Sequence, residues 1–195
     1  RDLAIQNRDA SLVLATHGRG IWIIDDLTPL RALDAKTLDS EVALLPVKPN
    51  QQRFEVFGGW VDGDAAFSGP NPHGGATIAY YQKSRHLFGK LKLEVFDSKG
   101  EVIDTLGASV RRGINLVSWS MHAKPPRVPP AAQVAFQSQQ GPRVPPGTYT
   151  VRLTKGKDVL ETKLDVGVDR RATYGVAERQ ANYAAALRVR DLFNN

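Results

Sequence analysis

The stretch that decides the fold is residues 145–168, PPGTYTVRLTKGKDVLETKLDVGV. Apolar residues alternate with polar ones on both sides of a Lys-Gly-Lys turn centred on Gly156. The apolar positions are Tyr149, Val151, Leu153, Leu160, Leu164, Val166 and Val168. A period of two with one apolar face is typical of half-buried antiparallel strands. The stretch therefore predicts two strands joined by a turn.

The same kind of pattern extends toward the N-terminus. Short apolar runs bounded by Gly, Pro, Asp or Ser are predicted as strands at 76–82, 91–96, 102–106, 114–121, 148–154 and 159–168. Trp119 is expected to be the large buried side chain between two sheets, rather than an exposed sugar-stacking platform. Short strands at this spacing predict a mainly β fold, with an immunoglobulin-like antiparallel β-sandwich over residues 75–169.

A second informative stretch is residues 12–27, LVLATHGRGIWIIDDL. Two apolar runs flank a Gly-containing turn, which predicts a hairpin. Only eleven residues precede it, so we expect no earlier strand to pair with it, and a lone hairpin is marginal in water. The chain is therefore predicted to be the C-terminal part of a larger protein. Leu14, Ile21 and Ile23 are expected either to pair with another chain or to dock on the sandwich.

The remaining segments follow from composition. Residues 1–46 are predicted to hold this hairpin and a connector, with Asp26 capping a helix over 30–38. Residues 47–74 are predicted as an irregular loop region, and residues 170–195 as a helical tail. The proline-rich residues 124–145 are predicted as an exposed loop, with a partner contact as the alternative.

Composition excludes several classes of function. The chain has no Cys, which excludes disulfides, zinc–thiolate sites and thiol nucleophiles. The net charge is +6, but the basic residues are scattered and no aromatic residues interleave with them, so nucleic-acid binding is not predicted. No apolar run is long enough for a membrane span. No metal or other cofactor is predicted.

Five segments in order resemble a known family. They are ATHGRGIWIIDDLTPLRAL at 15–33, GPNPHGGATIAYY at 69–81, LEVFDSKGEVIDTL at 93–106, GINLVSWSM at 113–121 and PPGTYTVRLTKGK at 145–157. They resemble the C-terminal part of secreted bacterial β-propeller proteins of the BNR-repeat, sortilin-like kind, which are often labelled glycosyl hydrolases. The last two also resemble the immunoglobulin-like module of flagellar hook-capping proteins.

The resemblance implies a function for the whole parent protein. It implies an N-terminal propeller that binds or cleaves an extracellular glycan or peptide ligand, in a secreted or periplasmic parent. This chain would then be a non-catalytic accessory module that orients the propeller. The Asp-box that names BNR repeats is absent from the chain, and no catalytic residue is carried over. Whether the parent is an enzyme stays open.

Two groups of residues are candidates for ligand binding. Trp60, Phe67 and His73 combine aromatic faces with hydrogen-bonding groups, as sugar-binding surfaces do. They predict a carbohydrate-binding module; the alternative is that they pack at the edge of the sandwich or in the interface with the propeller. His17 and Arg19 lie in the hairpin turn and would contribute to a hydrolase site shared with the propeller, or else they only stabilise the turn.

Carboxylate pairs do not predict a further site. Asp25 and Asp26 are adjacent in a strand end, so their side chains are expected to diverge. Asp62 and Asp64 resemble the start of a calcium loop, but no Glu closes it. No catalytic or metal-binding residue is therefore assigned.

Overall fold

The computed structural model describes residues 2–18, 20–53, 74–128, 140–169 and 171–194. These residues form a mainly β structure with several sheets and a C-terminal helix. The elements in chain order are β1 Asp2–Gln6, β2 Ser11–Ala15, β3 Ile21–Ile24, α1 Thr28–Arg31, α2 Ala35–Asp39, β4 Val42–Leu44, β5 Asn50–Gln52, β6 Ala76–Gln82, β7 Leu91–Phe96, β8 Val102–Leu106, β9 Gly113–Trp119, β10 Gly147–Lys155, β11 Asp158–Val168 and α3 Val176–Asn194.

The strands after residue 40 form two sheets. One has five strands in the order β5-β11-β10-β7-β8, and the other has three in the order β4-β6-β9. All pairs are antiparallel except β5 with β11. The predicted strands at 76–82, 91–96 and 102–106 have the observed bounds, whereas β9 ends two residues early. Met121 has φ 59°, and a β-strand cannot continue through that conformation.

Both sheets contribute to one hydrophobic core. Ile78, Tyr80 and Trp119 come from the three-stranded sheet, and the apolar faces of β7, β10 and β11 come from the other. Trp119 is completely buried. Its ring meets that of Tyr149 edge to face, with centroids 5.3 Å apart, and its Nε1 donates to His122 O at 3.0 Å. Trp119 is thus a core residue as predicted, and its alternative as a sugar platform is wrong.

The opposite face of the five-stranded sheet carries a ladder of charges. Arg152 on β10 pairs in register with Glu94 on β7 and Glu161 on β11. Its Nε donates to Glu161 Oε1 at 2.6 Å, and its guanidinium lies 4.2 Å from the centre of the Phe96 ring. Glu94, predicted on the polar face, is buried there and forms an ion pair with Lys92.

The helices differ in detail from the prediction. Residues 30–38 form two short helices, because Asp34 starts a new one: its Oδ1 accepts the N–H of Thr37 at 2.7 Å. The helix predicted in the C-terminal tail is present as α3. Tyr183 and Leu187 on α3 pack against the core, so this helix is part of the folded module.

The N-terminal sheet corrects one expectation. The predicted hairpin is present as β2 and β3, but a strand does precede it: β1 pairs with β2 in antiparallel register from Asp2–Ala15 to Gln6–Ser11. The result is a three-stranded sheet in the order β1-β2-β3. In the predicted loop region, β5 likewise forms a strand, and β4 and β5 both pair with strands beyond residue 75.

Candidate functional site

The N-terminal sheet presents an entirely apolar face. Residues directly opposite each other in an antiparallel pair share a face. The register aligns Leu3 with Leu14 and Leu14 with Trp22, and in the next row Ile5 with Leu12 and Leu12 with Ile24. We call these six residues the apolar face. It contains no polar side chain.

Strand β3 is exposed on both sides. Trp22 on the apolar face is 66% exposed, and Ile21 on the reverse side is 72% exposed. Large exposed apolar patches on a soluble domain mark contact surfaces, and strands apolar on both sides are typical of sheets that are covered on both faces. The alternative that Ile21 and Ile23 dock on the rest of this chain is wrong, because both are exposed. Leu14 is partly buried.

Few hydrogen bonds connect this sheet to the body of the module. Lys48 Nζ donates to Asp9 O at 3.1 Å and to Asp25 O at 3.3 Å. Leu27 N donates to Ala10 O at 2.8 Å, at the point where the chain leaves the sheet. The sheet is therefore held along its base, and its apolar face stays open.

His17 lies at the end of this sheet. Its turn is closed by Thr16, whose N and Oγ1 both donate to Gly20 O, at 2.9 and 3.0 Å. His17 is exposed beside a shallow depression that Leu3 and Leu14 also line. Arg19 lies outside the described residues, so the predicted pairing of the two is not tested.

The described residues also line a polar cavity of about 370 Å³. Its lining includes Ser118, Ser120, His122 and Arg143. Arg53, Gly74 and Gln140, which also line it, are the described residues that flank segments 54–73 and 129–139. Trp60, Phe67 and His73 belong to the first of these segments and lie outside the described residues, as do Asp62 and Asp64.

Backbone hydrogen bonds hold the floor of the polar cavity. Val144 N donates to Met121 O at 3.0 Å, and Ala123 N donates to Pro142 O at 2.8 Å. His122 Nδ1 lies 2.9 Å from Ser120 O, and since a carbonyl oxygen only accepts, Nδ1 is the donor. The left-handed backbone of buried Met121 costs energy in a non-Gly residue, and such conformations concentrate at functional sites.

Arg143 also lines a second cavity, of about 560 Å³, at the start of α3. The other lining residues are Tyr174, Glu178, Arg179 and Asn182. Arg179 Nε donates to Tyr174 O at 3.1 Å, while its buried Nη2 has no hydrogen-bond partner among the described residues. Glu178 Oε2 accepts the N–H of Gly175 at 2.7 Å. Volumes of this size suit small ligands, and the guanidinium groups would favour hydroxyl or carboxylate oxygens.

Asp26 lies at the start of α1, but the N-cap residue of this helix is Leu27, without a side-chain capping hydrogen bond. Asp26 Oδ1 accepts the N–H of Thr28, the first residue of α1, at 2.9 Å, which places this side chain at the helix start. The backbone carbonyl of Asp25 accepts a hydrogen bond from Lys48 Nζ. In the part of the chain that the structure describes, no group of three or more His, Asp or Glu side chains is arranged to hold a metal ion.

None of the helices built from the described residues has both the length and the apolar character that crossing a bilayer requires.

Comparisons with protein-family descriptions, with curated proteins and with solved structures find no match.

Proposed function

We propose that this chain is a non-catalytic accessory module of a secreted or periplasmic BNR-type, sortilin-like β-propeller protein, and that it orients the propeller. The observation that carries the proposal is the exposure of β3 on both sides, beside the open apolar face. A propeller blade is a small sheet packed between other sheets, so its strands need apolar residues on both sides. Strand β3 meets that requirement, since all four of its residues are apolar, and the sheet β1-β2-β3 would complete a blade.

We also propose that the two sheets formed by the strands after residue 40 make an immunoglobulin-like β-sandwich. An immunoglobulin-like β-sandwich is supported by the shared core of the two sheets and by two particular residues. Trp119 is the buried aromatic residue at the centre of the core. Tyr149 Oη donates back to Pro145 O at 2.7 Å, as the tyrosine of a tyrosine corner does in immunoglobulin-like domains.

The experiment compares this chain with the proposed propeller protein that would contain it. We expect the sequence before Arg1 to encode repeated four-stranded units. In the longer protein, the backbone amides of β3 should exchange with deuterium at least tenfold more slowly than in the 195-residue chain, since they would pair and lose access to water. The amides of β9 serve as the internal control, because β9 pairs with β6 within this chain.

Two results would contradict the proposal. One is a gene that encodes no β-repeats before Arg1. The other is equal exchange at residues 21–24 in both proteins while the β9 amides remain protected, which would leave the apolar face without its proposed occupant.

A carbohydrate-binding module is the second candidate function, because Arg53 and Gly74, the described residues on either side of the segment that contains Trp60, Phe67 and His73, line the polar cavity. On a glycan array, the Trp60→Ala variant should lose binding that the Trp22→Ala control keeps. Unchanged binding by Trp60→Ala would exclude this function. A hydrolase site at His17 and Arg19 is the third, and it fails if replacing both in the full-length protein leaves its activity intact.

A further inference from the structure

The loop between β6 and β7 carries an exposed apolar tip. Its sequence is KSRHLFGK, residues 83–90. Phe88 is 88% exposed, the highest value among the large exposed apolar residues of the described chain, and the neighbouring Leu87 is also largely exposed. Side chains of this kind normally avoid water, so two together at the end of a loop require an explanation.

The tip is held in a defined conformation. His86 N donates to Val110 O at 2.9 Å, which fastens this loop to the loop between β8 and β9. The His86 ring also hydrogen-bonds Gly89 O, with Nε2 at 3.1 Å. Gly89 has φ +94°, a conformation that Gly adopts without strain. Leu87 and Phe88 are thereby fixed at the turn between these two anchors.

Basic residues surround the tip, and the sheet topology brings them together. Lys83, Arg85 and Lys90 lie on the loop itself. Arg111 and Arg112 are adjacent because β9 starts opposite Gln82, the last residue of β6. The β10–β11 turn brings Lys155 and Lys157, since Gly156 N donates to Lys90 O at 2.8 Å. We call these seven residues the basic collar.

Few acidic residues offset the collar. On the same loops and on the adjoining residues 39–41 there are three, Asp39, Glu41 and Asp158, against the seven basic residues. Only Lys83 makes an ion pair there among the described residues, with Asp39 at 3.9 Å. The end of the module thus keeps an excess of positive charge around an apolar tip.

We propose that this end of the module docks on an anionic lipid surface, with Leu87 and Phe88 entering the interface and the basic collar on the headgroup phosphates. Apolar residues within a cationic surround are the combination that holds peripheral proteins at membranes. Nucleic acid fits less well, because single-strand binding uses a series of aromatic residues and the tip offers one ring. The N-terminal sheet lies elsewhere: its residues Ser11 and Ile23 line one cavity with Thr77, near the opposite end of β6.

The test is co-sedimentation with lipid vesicles. The chain should bind vesicles that contain one-third phosphatidylglycerol in phosphatidylcholine and not vesicles of phosphatidylcholine alone, and high salt should weaken the binding. Phe88→Ser should weaken it about tenfold or more, the loss expected for one buried aromatic side chain. Arg111→Glu with Arg112→Glu should weaken it by more than tenfold.

The matched control is Phe193→Ser, because Phe193 is another exposed phenylalanine, 64% exposed, at the end of α3. It should bind like the unchanged chain. Equal binding to neutral and anionic vesicles, or equal loss in Phe88→Ser and Phe193→Ser, would overturn the proposal. So would anionic vesicle binding that Phe88→Ser leaves unchanged while a single-stranded DNA oligonucleotide abolishes it, since that pattern describes a nucleic-acid surface.

Discussion

The same substitution at two tryptophans separates the core of this module from its exposed surface. Trp119 is completely buried, whereas Trp22 is 66% exposed on the apolar face. Replacing either with Phe keeps an aromatic ring and removes the indole N–H. Trp119→Phe should therefore lower the free energy of unfolding strongly, and Trp22→Phe should leave it almost unchanged.

The expected magnitude follows from the contacts of Trp119. Its Nε1 donates to the part-buried carbonyl of His122, and leaving such an acceptor unpaired costs about 1–3 kcal/mol. The smaller ring also leaves space against Tyr149, which adds about 1 kcal/mol. The sum of about 2–4 kcal/mol is a large part of the 5–15 kcal/mol that typically stabilises a domain. At exposed Trp22 the change should stay within about 0.5 kcal/mol.

The assay is urea unfolding followed by far-ultraviolet circular dichroism, which does not depend on tryptophan fluorescence. With a denaturant slope of about 2 kcal/mol per M, Trp119→Phe should lower the midpoint by about 1–2 M and Trp22→Phe by less than about 0.3 M. Equal shifts would refute the reasoning, because they would mean that the apolar face is packed within this chain. The proposed docking of a propeller would then lose its premise.

Three further predictions follow. Burial raises the pKa of Tyr149 above its ordinary value of 10.0, so the unfolded chain loses the phenolic proton at a lower pH than the folded chain does. The free energy of unfolding should therefore fall as pH rises above about 10, and it should fall less in Tyr149→Phe. Urea midpoints measured across this pH range for both proteins check the prediction. Burial raises the pKa of Asp104, so the negative charge of this side chain opposes folding at neutral pH. Asp104→Asn should therefore raise the urea midpoint at pH 7. The gain should vanish near about pH 3, where the carboxyl group is protonated. A Cβ on Gly141 would lie 1.8 Å from Ala123 O, whereas one on Gly107 would meet nothing within 4 Å, so thermal unfolding should show a much lower melting temperature for Gly141→Ala than for the control Gly107→Ala.

Strands with a run or an alternation of apolar residues were predictable from the sequence, and β5, which has neither, was not. The alternation in β7, β10 and β11 arises because one side of each strand packs in the core. Strand β5 has the sequence Asn-Gln-Gln and joins β11 through its backbone. Backbone hydrogen bonding leaves no apolar period in the sequence, so this strand was predicted as loop. Strand β1 does alternate Leu3 and Ile5, but we expected no partner for the hairpin and did not assign it.

The residues of the second cavity were missed for a related reason. Arg143 lies within the proline-rich segment 124–145 and Arg179 lies in α3, and no spacing in the sequence links them. They line one cavity because the bridge between His122 and Arg143 positions the first. The second is brought there by α3, whose Tyr183 and Leu187 pack on the core. Convergence of this kind depends on tertiary packing, which a motif search cannot detect.

The basic collar shows that positive charge in a β protein should be counted over neighbouring loops and not along the sequence. In the sequence its members are separated by up to 74 positions, from Lys83 to Lys157, and the scatter of basic residues was an argument against nucleic-acid binding. In an antiparallel sheet, however, successive connections alternate between the two ends of the strands. The loops after β6, before β9 and after β10 therefore meet at one end. A search for runs of Lys and Arg suits helices and disordered arms, whereas for a fold of short strands the charge has to be summed over the loops that share an end. By that count the excess of positive charge is local and surrounds Leu87 and Phe88, which is why the collar and the apolar tip are best explained as one surface.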